Sequence, residues 1–187
     1  AAAILEGNIV ILIDNAPAAM ILPTSILDFL QEPNDFYFPP LIGTYIRWIR
    51  NLVFIATLFL TPLWLLAVEN MSHLAPSLSF LGLSAPASVP IIIQLLLLEG
   101  SIDVLRLASV NTPNMLGNSL SIIGALLLGD FAVKSGWMVP DTILYMSFVA
   151  IAGFTQPSIE LSYSFKLMRI MLLLATYFFK LWGFIIG

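Results

Sequence analysis

The stretch Asn51-Leu52-Val53-Phe54-Ile55-Ala56-Thr57-Leu58-Phe59-Leu60-Thr61-Pro62-Leu63-Trp64-Leu65-Leu66-Ala67-Val68 runs without a single charge. A helix needs about 20 apolar residues to cross the hydrocarbon core of a bilayer, and tilt or interfacial ends make up a small shortfall. Pro62 lies inside the stretch and is expected to bend the helix. Four further apolar segments follow. Residues 89–110 contain Glu99, Asp103 and Arg106; residues 118–139 contain Asp130 and Lys134. Residues 142–159 are free of Lys, Arg and Asp before Glu160, and residues 167–187 hold Lys180.

Composition agrees with the segments. Hydrophobic residues make up 59% of 187 and charged residues 10%, and the mean hydropathy is +0.99. A water-soluble domain carries roughly 25% charged residues because water must wet its surface. At less than half that level, lipid is expected to solvate much of the exterior. The predicted fold class is therefore mainly α: a polytopic helical membrane protein with about five hydrophobic helices.

The N-terminal section is different. Residues 8–13 and 16–22 flank Asp14-Asn15 and read as two strands around a turn. A helix signal follows, with Thr24 or Ser25 as cap before Ile26, Leu27, Phe29 and Leu30. Phe36-Tyr37-Phe38, followed by Pro39-Pro40, suits a membrane interface, where aromatic side chains prefer to sit. Two isolated strands are marginal in water. Ala1-Ala2-Ala3 offers no Met, no basic n-region and no signal-peptide pattern. The expected organisation is the end of a soluble cytosolic domain with an interfacial segment over residues 1–40, then a transmembrane domain over residues 41–187.

Basic residues orient the segments. Arg47 and Arg50 precede the first, Arg106 ends the second, and Lys166 and Arg169 stand between the fourth and fifth. All fall on one side if every segment spans, and positive charge marks the cytoplasmic side. Residues 69–90 would then lie outside, and they contain no Lys or Arg. The second segment is the one that could instead lie in the plane or re-enter.

A charge inside the membrane costs about 2.5–3.5 kcal/mol on insertion scales, so each one needs a reason. Glu99, Asp103 and Arg106 are spaced by four and three, which puts them on one helical face. They read either as a charged ring or gating network, or as a structural pair of Asp103 with Arg106 at the cytoplasmic end. Asp130 and Lys134 are also four apart. Their segment is rich in small residues, Gly117, Ser119, Ser121, Gly124, Ala125 and Gly129, which let helices approach closely. Ser119, Ile123, Leu126 or Leu127, and Asp130 fall on one stripe. If that helix lines a pore, Ser119 and Asp130 are its polar rings and Ile123 a hydrophobic constriction that gates by dewetting. The alternative is ordinary helix packing, with Asp130 neutralised by Lys134. Gln156, Pro157 and Glu160 read as an interfacial helix end, and Lys180 as a residue that snorkels.

Several activities find no support. The Lys and Arg residues are scattered, so no basic face for nucleic acid forms. There is no cysteine, and the single histidine, His73, sits in a Pro/Ser-rich loop; no metal site and no cofactor is expected. Nucleotide-binding, zinc-protease and serine-hydrolase patterns are missing. Gly129-Asp130 lacks the second glycine of intramembrane aspartyl proteases, because Leu127 stands there. No internal repeat of the kind that builds secondary transporters is found.

Several stretches resemble the A subunit family of bacterial spore germinant receptors. They are Glu6-Gly7-Asn8-Ile9-Val10-Ile11-Leu12-Ile13-Asp14, Leu27-Asp28-Phe29-Leu30-Gln31-Glu32-Pro33-Asn34-Asp35-Phe36-Tyr37, Glu99, Arg106 and Ser121-Ile122-Ile123-Gly124-Ala125-Leu126. Ala108-Ser109-Val110-Asn111-Thr112-Pro113-Asn114-Met115-Leu116, Ser135-Gly136-Trp137 and Leu181-Trp182-Gly183-Phe184-Ile185 look like its stage V sporulation AF branch. The resemblance implies a soluble cytosolic region ahead of this membrane region and a place in the spore inner membrane, with the N-terminal side facing the spore core. It also implies other germination membrane proteins as partners and assembly into a ring-shaped ion channel. By this analogy the third segment is the pore helix and Ile123 its neck. Asp130 departs from the neutral polar residue, commonly Gln, of the nutrient receptors, and a ring of carboxylates there favours monovalent cations. The expected function is a homo-oligomeric gated channel in germination; the alternative is a non-conducting scaffold for germination proteins.

Overall fold

The computed structural model describes residues 4, 7–16, 19–25, 30, 37–71, 76–111, 129–153, 155–156 and 158–187. Two compact units emerge, Ala1–Ile49 and Arg50–Gly187.

In the first unit, β1 (Ile9–Leu12) pairs antiparallel with β2 (Ala19–Leu22), with Ile9 opposite Leu22 and Leu12 opposite Ala19. The turn is where the sequence places it. Asn15 has φ 61°, a left-handed conformation that Asn tolerates better than most side chains. Its N–H donates to Asp14 Oδ1 at 3.1 Å, and the Ala16 N–H donates to the Ile13 carbonyl at 3.2 Å. Of the helix expected after Ser25, Leu30 is helical and the rest lies outside the described residues.

Helix α1 (Pro40–Glu69) is 30 residues long, about 45 Å at 1.5 Å per residue. It starts well before the charge-free stretch, so Arg47 and Arg50 lie inside it rather than ahead of it. Pro40 explains the early start: its fixed φ suits the first helical position, where its missing N–H is not needed. Asn70 closes the other end, its Nδ2 donating to the Leu66 carbonyl at 2.9 Å.

The second unit continues from α1 through a 3₁₀ turn (Pro76–Leu81), α2 (Ile91–Asn111), a helical stretch at 129–134, α3 (Pro140–Gly153) and α4 (Ile159–Ile186). Its core is Trp64 and Leu65 of α1, Ile92, Leu95 and Leu98 of α2, Met146 of α3 and Leu173 of α4. Trp64 Nε1 donates to the Leu81 carbonyl at 3.1 Å, and its ring packs on Tyr145 at 4.5 Å between centroids.

Gln94 sets the relation of α2 to α3. Its Nε2 donates to the Val89 carbonyl at 2.8 Å, while its Oε1 accepts from the Val139 N–H at 2.9 Å and the Thr142 hydroxyl at 3.1 Å. The two helix starts therefore lie side by side. At the other end, a Cβ on Gly153 would stand 3.4 Å from Arg106 Nη2. Helices α2 and α3 are thus parallel neighbours. Helix α4 runs antiparallel to α2, with Arg169 beside Glu99 and Lys166 beside Asp103.

Two helix boundaries differ from the sequence reading. Helix α3 has 14 residues and stops at Gly153, where both the N–H and the hydroxyl of Thr155 bond the Ala152 carbonyl at 3.1 and 2.7 Å. Helix α4 begins at Ile159 rather than near Leu167, because Ser158 Oγ caps it by accepting the Leu161 N–H at 3.3 Å. Lys166 and Arg169 are consequently helical, not loop charges. Farther on, Lys180 takes φ 53°, ψ −130° and breaks α4. The chain then doubles back, so that a Cβ on Gly183 would collide with the Ala175 carbonyl. The straight part, residues 159–179, is about 30 Å long.

The unit is apolar outside and holds polar groups inside, beside its apolar core. Thr57, Thr61, Gln94, Glu99, Arg169 and Thr176 are buried, whereas Leu52, Ile55, Leu63, Leu144, Ile151 and Met171 are exposed. That is the reverse of a water-soluble bundle. Of the five hydrophobic helices expected, two among the described residues, α1 and α4, are long and apolar enough to cross a membrane. Helix α2 is long enough at 21 residues but carries three charges; α3 is short; most of the third segment lies outside the described residues.

Candidate functional site

The functional side chains converge where α1, α2 and α4 meet. Glu99 is 2% exposed and Arg169 7%. Arg169 Nε donates to Glu99 Oε1 at 2.6 Å and Nη2 to Oε2 at 2.9 Å, the planar two-pronged contact that makes arginine–carboxylate pairs strong. Its remaining nitrogen, Nη1, donates to the backbone carbonyl of Thr57 at 3.0 Å. One guanidinium thereby ties α4 to both α1 and α2.

A second layer lies one turn away. Because α2 and α4 are antiparallel, Asp103, four residues after Glu99, meets Lys166, three residues before Arg169. Lys166 Nζ contacts Asp103 Oδ2, donates to the Glu99 carbonyl at 2.8 Å and lies 3.5 Å from Glu99 Oε2. Arg106 follows on the same face of α2, its guanidinium 5.6 Å from the Tyr163 ring centre. These groups border a pocket of about 30 Å³ that Gln156 also lines. That is room for one or two waters. Gln156 Oε1 is buried with no hydrogen-bond partner among the described residues.

Glu99, Asp103 and Arg106 are brought together around this pocket; Lys134 is not. Lys134 Nζ bonds Asp130 Oδ2 at 2.7 Å, and the two side chains are 68% and 57% exposed. Ser119, Ile123 and Leu126, with the alternative Leu127, lie outside the described residues. Lys166 and Arg169 are the members of the network that sequence reasoning missed. A signal was available: a basic pair at three-residue spacing, about two and three helical turns past a Ser158 cap, complements an acidic pair at four-residue spacing on another helix.

A helical bundle with buried ion pairs, an apolar exterior and two helices fit to cross a membrane defines the class of protein. Comparison with known proteins then gives the family: residues 1–187 match the Bacillus/Clostridium GerA spore germination protein, and the chain belongs to that family. It is 35% identical over 184 residues to stage V sporulation protein AF of Bacillus subtilis (strain 168), covering 98% of this chain and 37% of the relative. It is 32% identical to the uncharacterized membrane protein YfkQ of the same organism, over 100% of this chain and 37% of that one. With spore germination protein KA, also of Bacillus subtilis (strain 168), the identity is 30%, over 98% of this chain and 34% of that protein. The chain thus spans little more than a third of the length of these relatives. No solved structure matches it.

Proposed function

We propose that this chain is the membrane part of a spore germination protein that assembles with copies of itself into a gated channel for monovalent cations. In this reading residues 41–187 form the transmembrane domain in the spore inner membrane. Residues 1–40 end a cytosolic domain on the spore-core side, and other germination membrane proteins are its partners. The apolar exterior and the polar groups held inside support solvation by lipid.

The observation that carries the pore is the Asp130–Lys134 pair. It sits on a largely apolar surface, more than half exposed. Hydrocarbon does not solvate an ion pair, so that surface must meet water or another subunit. A water-filled passage shared between subunits supplies both. Ile123 precedes Asp130 by seven residues in the sequence, so a helix continued back from Asp130 would carry it on the same stripe, where a ring of isoleucines would dewet a narrow passage.

Ion flux from liposomes containing the full-length protein tests this. Ile123→Ala should raise flux severalfold over wild type by widening and wetting the neck. Vesicles with folded oligomers that conduct in neither form would favour the scaffold reading instead.

A further inference from the structure

Lys166 places an ammonium ion inside a cage of oxygens. Its Nζ is 2.8 Å from the Glu99 carbonyl oxygen, 3.5 Å from Glu99 Oε2 and in contact with Asp103 Oδ2, and the side chain is 12% exposed. All three oxygens belong to α2, while the cation arrives from α4 on a flexible stem. The two Glu99 oxygens do not depend on Lys166 for their positions. Arg169 clamps the Glu99 carboxylate from another direction, with two bonds of its own, and the carbonyl is fixed by the helix. Taking the ammonium away would leave both in place, with Asp103 one turn along the same face of α2.

Two more features point the same way. The adjoining pocket of about 30 Å³ can hold the water that completes a small ion's shell. Gln156 Oε1, which lines that pocket, is a buried acceptor lacking a donor among the described residues. The native cluster of Glu99, Asp103, Arg106, Lys166 and Arg169 carries a net charge of one positive. Without Lys166 the two carboxylates face Arg106 and Arg169, and one added positive charge restores the native total. A divalent ion would overshoot. It would also want shorter contacts, of about 2.3–2.6 Å for calcium, and more carboxylates. No three acidic or histidine side chains converge among the described residues.

We propose that Glu99 and Asp103 form a site for a monovalent cation of potassium or ammonium size, which Lys166 occupies as a built-in plug. The site does not require the protein to conduct ions, so it stands or falls separately from the channel reading.

The test is thermal unfolding of the full-length protein in detergent, in potassium, sodium or N-methylglucamine chloride at constant ionic strength. Lys166→Ala should unfold about 5 °C higher in saturating potassium than in N-methylglucamine, the size of shift expected for a bound ligand. Wild type should show no such difference. Neither should Lys166→Ala combined with Asp103→Asn, which removes a cage oxyanion. Lys166→Gln, neutral and close in size, should respond as Lys166→Ala does. Equal midpoints in all three salts for both single variants would overturn the proposal. So would failure of both to fold in potassium, or a wild type as responsive as the variants.

Discussion

Two ion pairs of this chain each join a carboxylate to a basic side chain and come out opposite. Glu99 and Arg169 are on different helices, nearly sealed from the surroundings, and joined by two charge-assisted bonds with a third to the Thr57 carbonyl. Asp130 and Lys134 are neighbours on one helical stretch, joined by one contact and more than half exposed. The first pair fixes the relative placement of α1, α2 and α4. The second fixes no tertiary contact, since an i, i+4 pair stabilises only the helix that carries it. Exposed charge on an apolar exterior marks where the protein meets water or another subunit; buried charge marks where it is held rigid.

The largest expected effect is on the buried pair. Arg169→Met leaves the Glu99 carboxylate buried without its main partner, and Glu99→Gln does the same to the guanidinium. Each should lose about 3–5 kcal/mol of stability, read as a lowered unfolding midpoint in detergent. The double variant Glu99→Leu with Arg169→Met should be far less damaged than the sum of the singles, because no uncompensated charge remains. Additive losses would show that the two side chains act separately, and would break the contrast drawn above.

The exposed pair should respond the other way. Asp130→Asn should change stability by no more than about 0.5 kcal/mol, the size of an exposed i, i+4 pair. In the liposome assay it should nevertheless reduce the preference for cations, because a carboxylate near the conducting path draws them in. A variant that is strongly destabilised would place Asp130 in a packed contact and remove the observation on which the pore rests.

What could be read in the sequence follows the same divide. The hairpin turn at Asp14-Asn15 was legible because turn chemistry is local. So was the shared face of Glu99, Asp103 and Arg106, because helical periodicity is local too. The partners of those charges were not. Arg169 reads as a flanking positive charge until Ser158 is recognised as a cap that starts α4 early and carries Arg169 inside. Its bond to the Thr57 carbonyl depends on how α1 packs against α4, which no single segment encodes. Nor does spacing disclose the reversal at Lys180, where one residue leaves the helical conformation and Gly183 permits the close return.

The smallest expected effect probes the lining beside the cluster. Thr61 is fully buried, one turn along α1 from Thr57, and its hydroxyl has no hydrogen-bond partner among the described residues. The Thr57 hydroxyl, by contrast, donates to the Phe54 carbonyl at 2.7 Å. An orphaned buried hydroxyl is a net loss, so Thr61→Val should leave stability unchanged or raise it by up to about 1 kcal/mol. Thr57→Val, which removes a bonded hydroxyl, should lower it by a similar amount. If Thr61→Val instead destabilises, the hydroxyl is satisfied by water. The wet region would then extend from the Glu99 pocket along α1 as far as Thr61, and the buried cluster would be less sealed than its contacts imply.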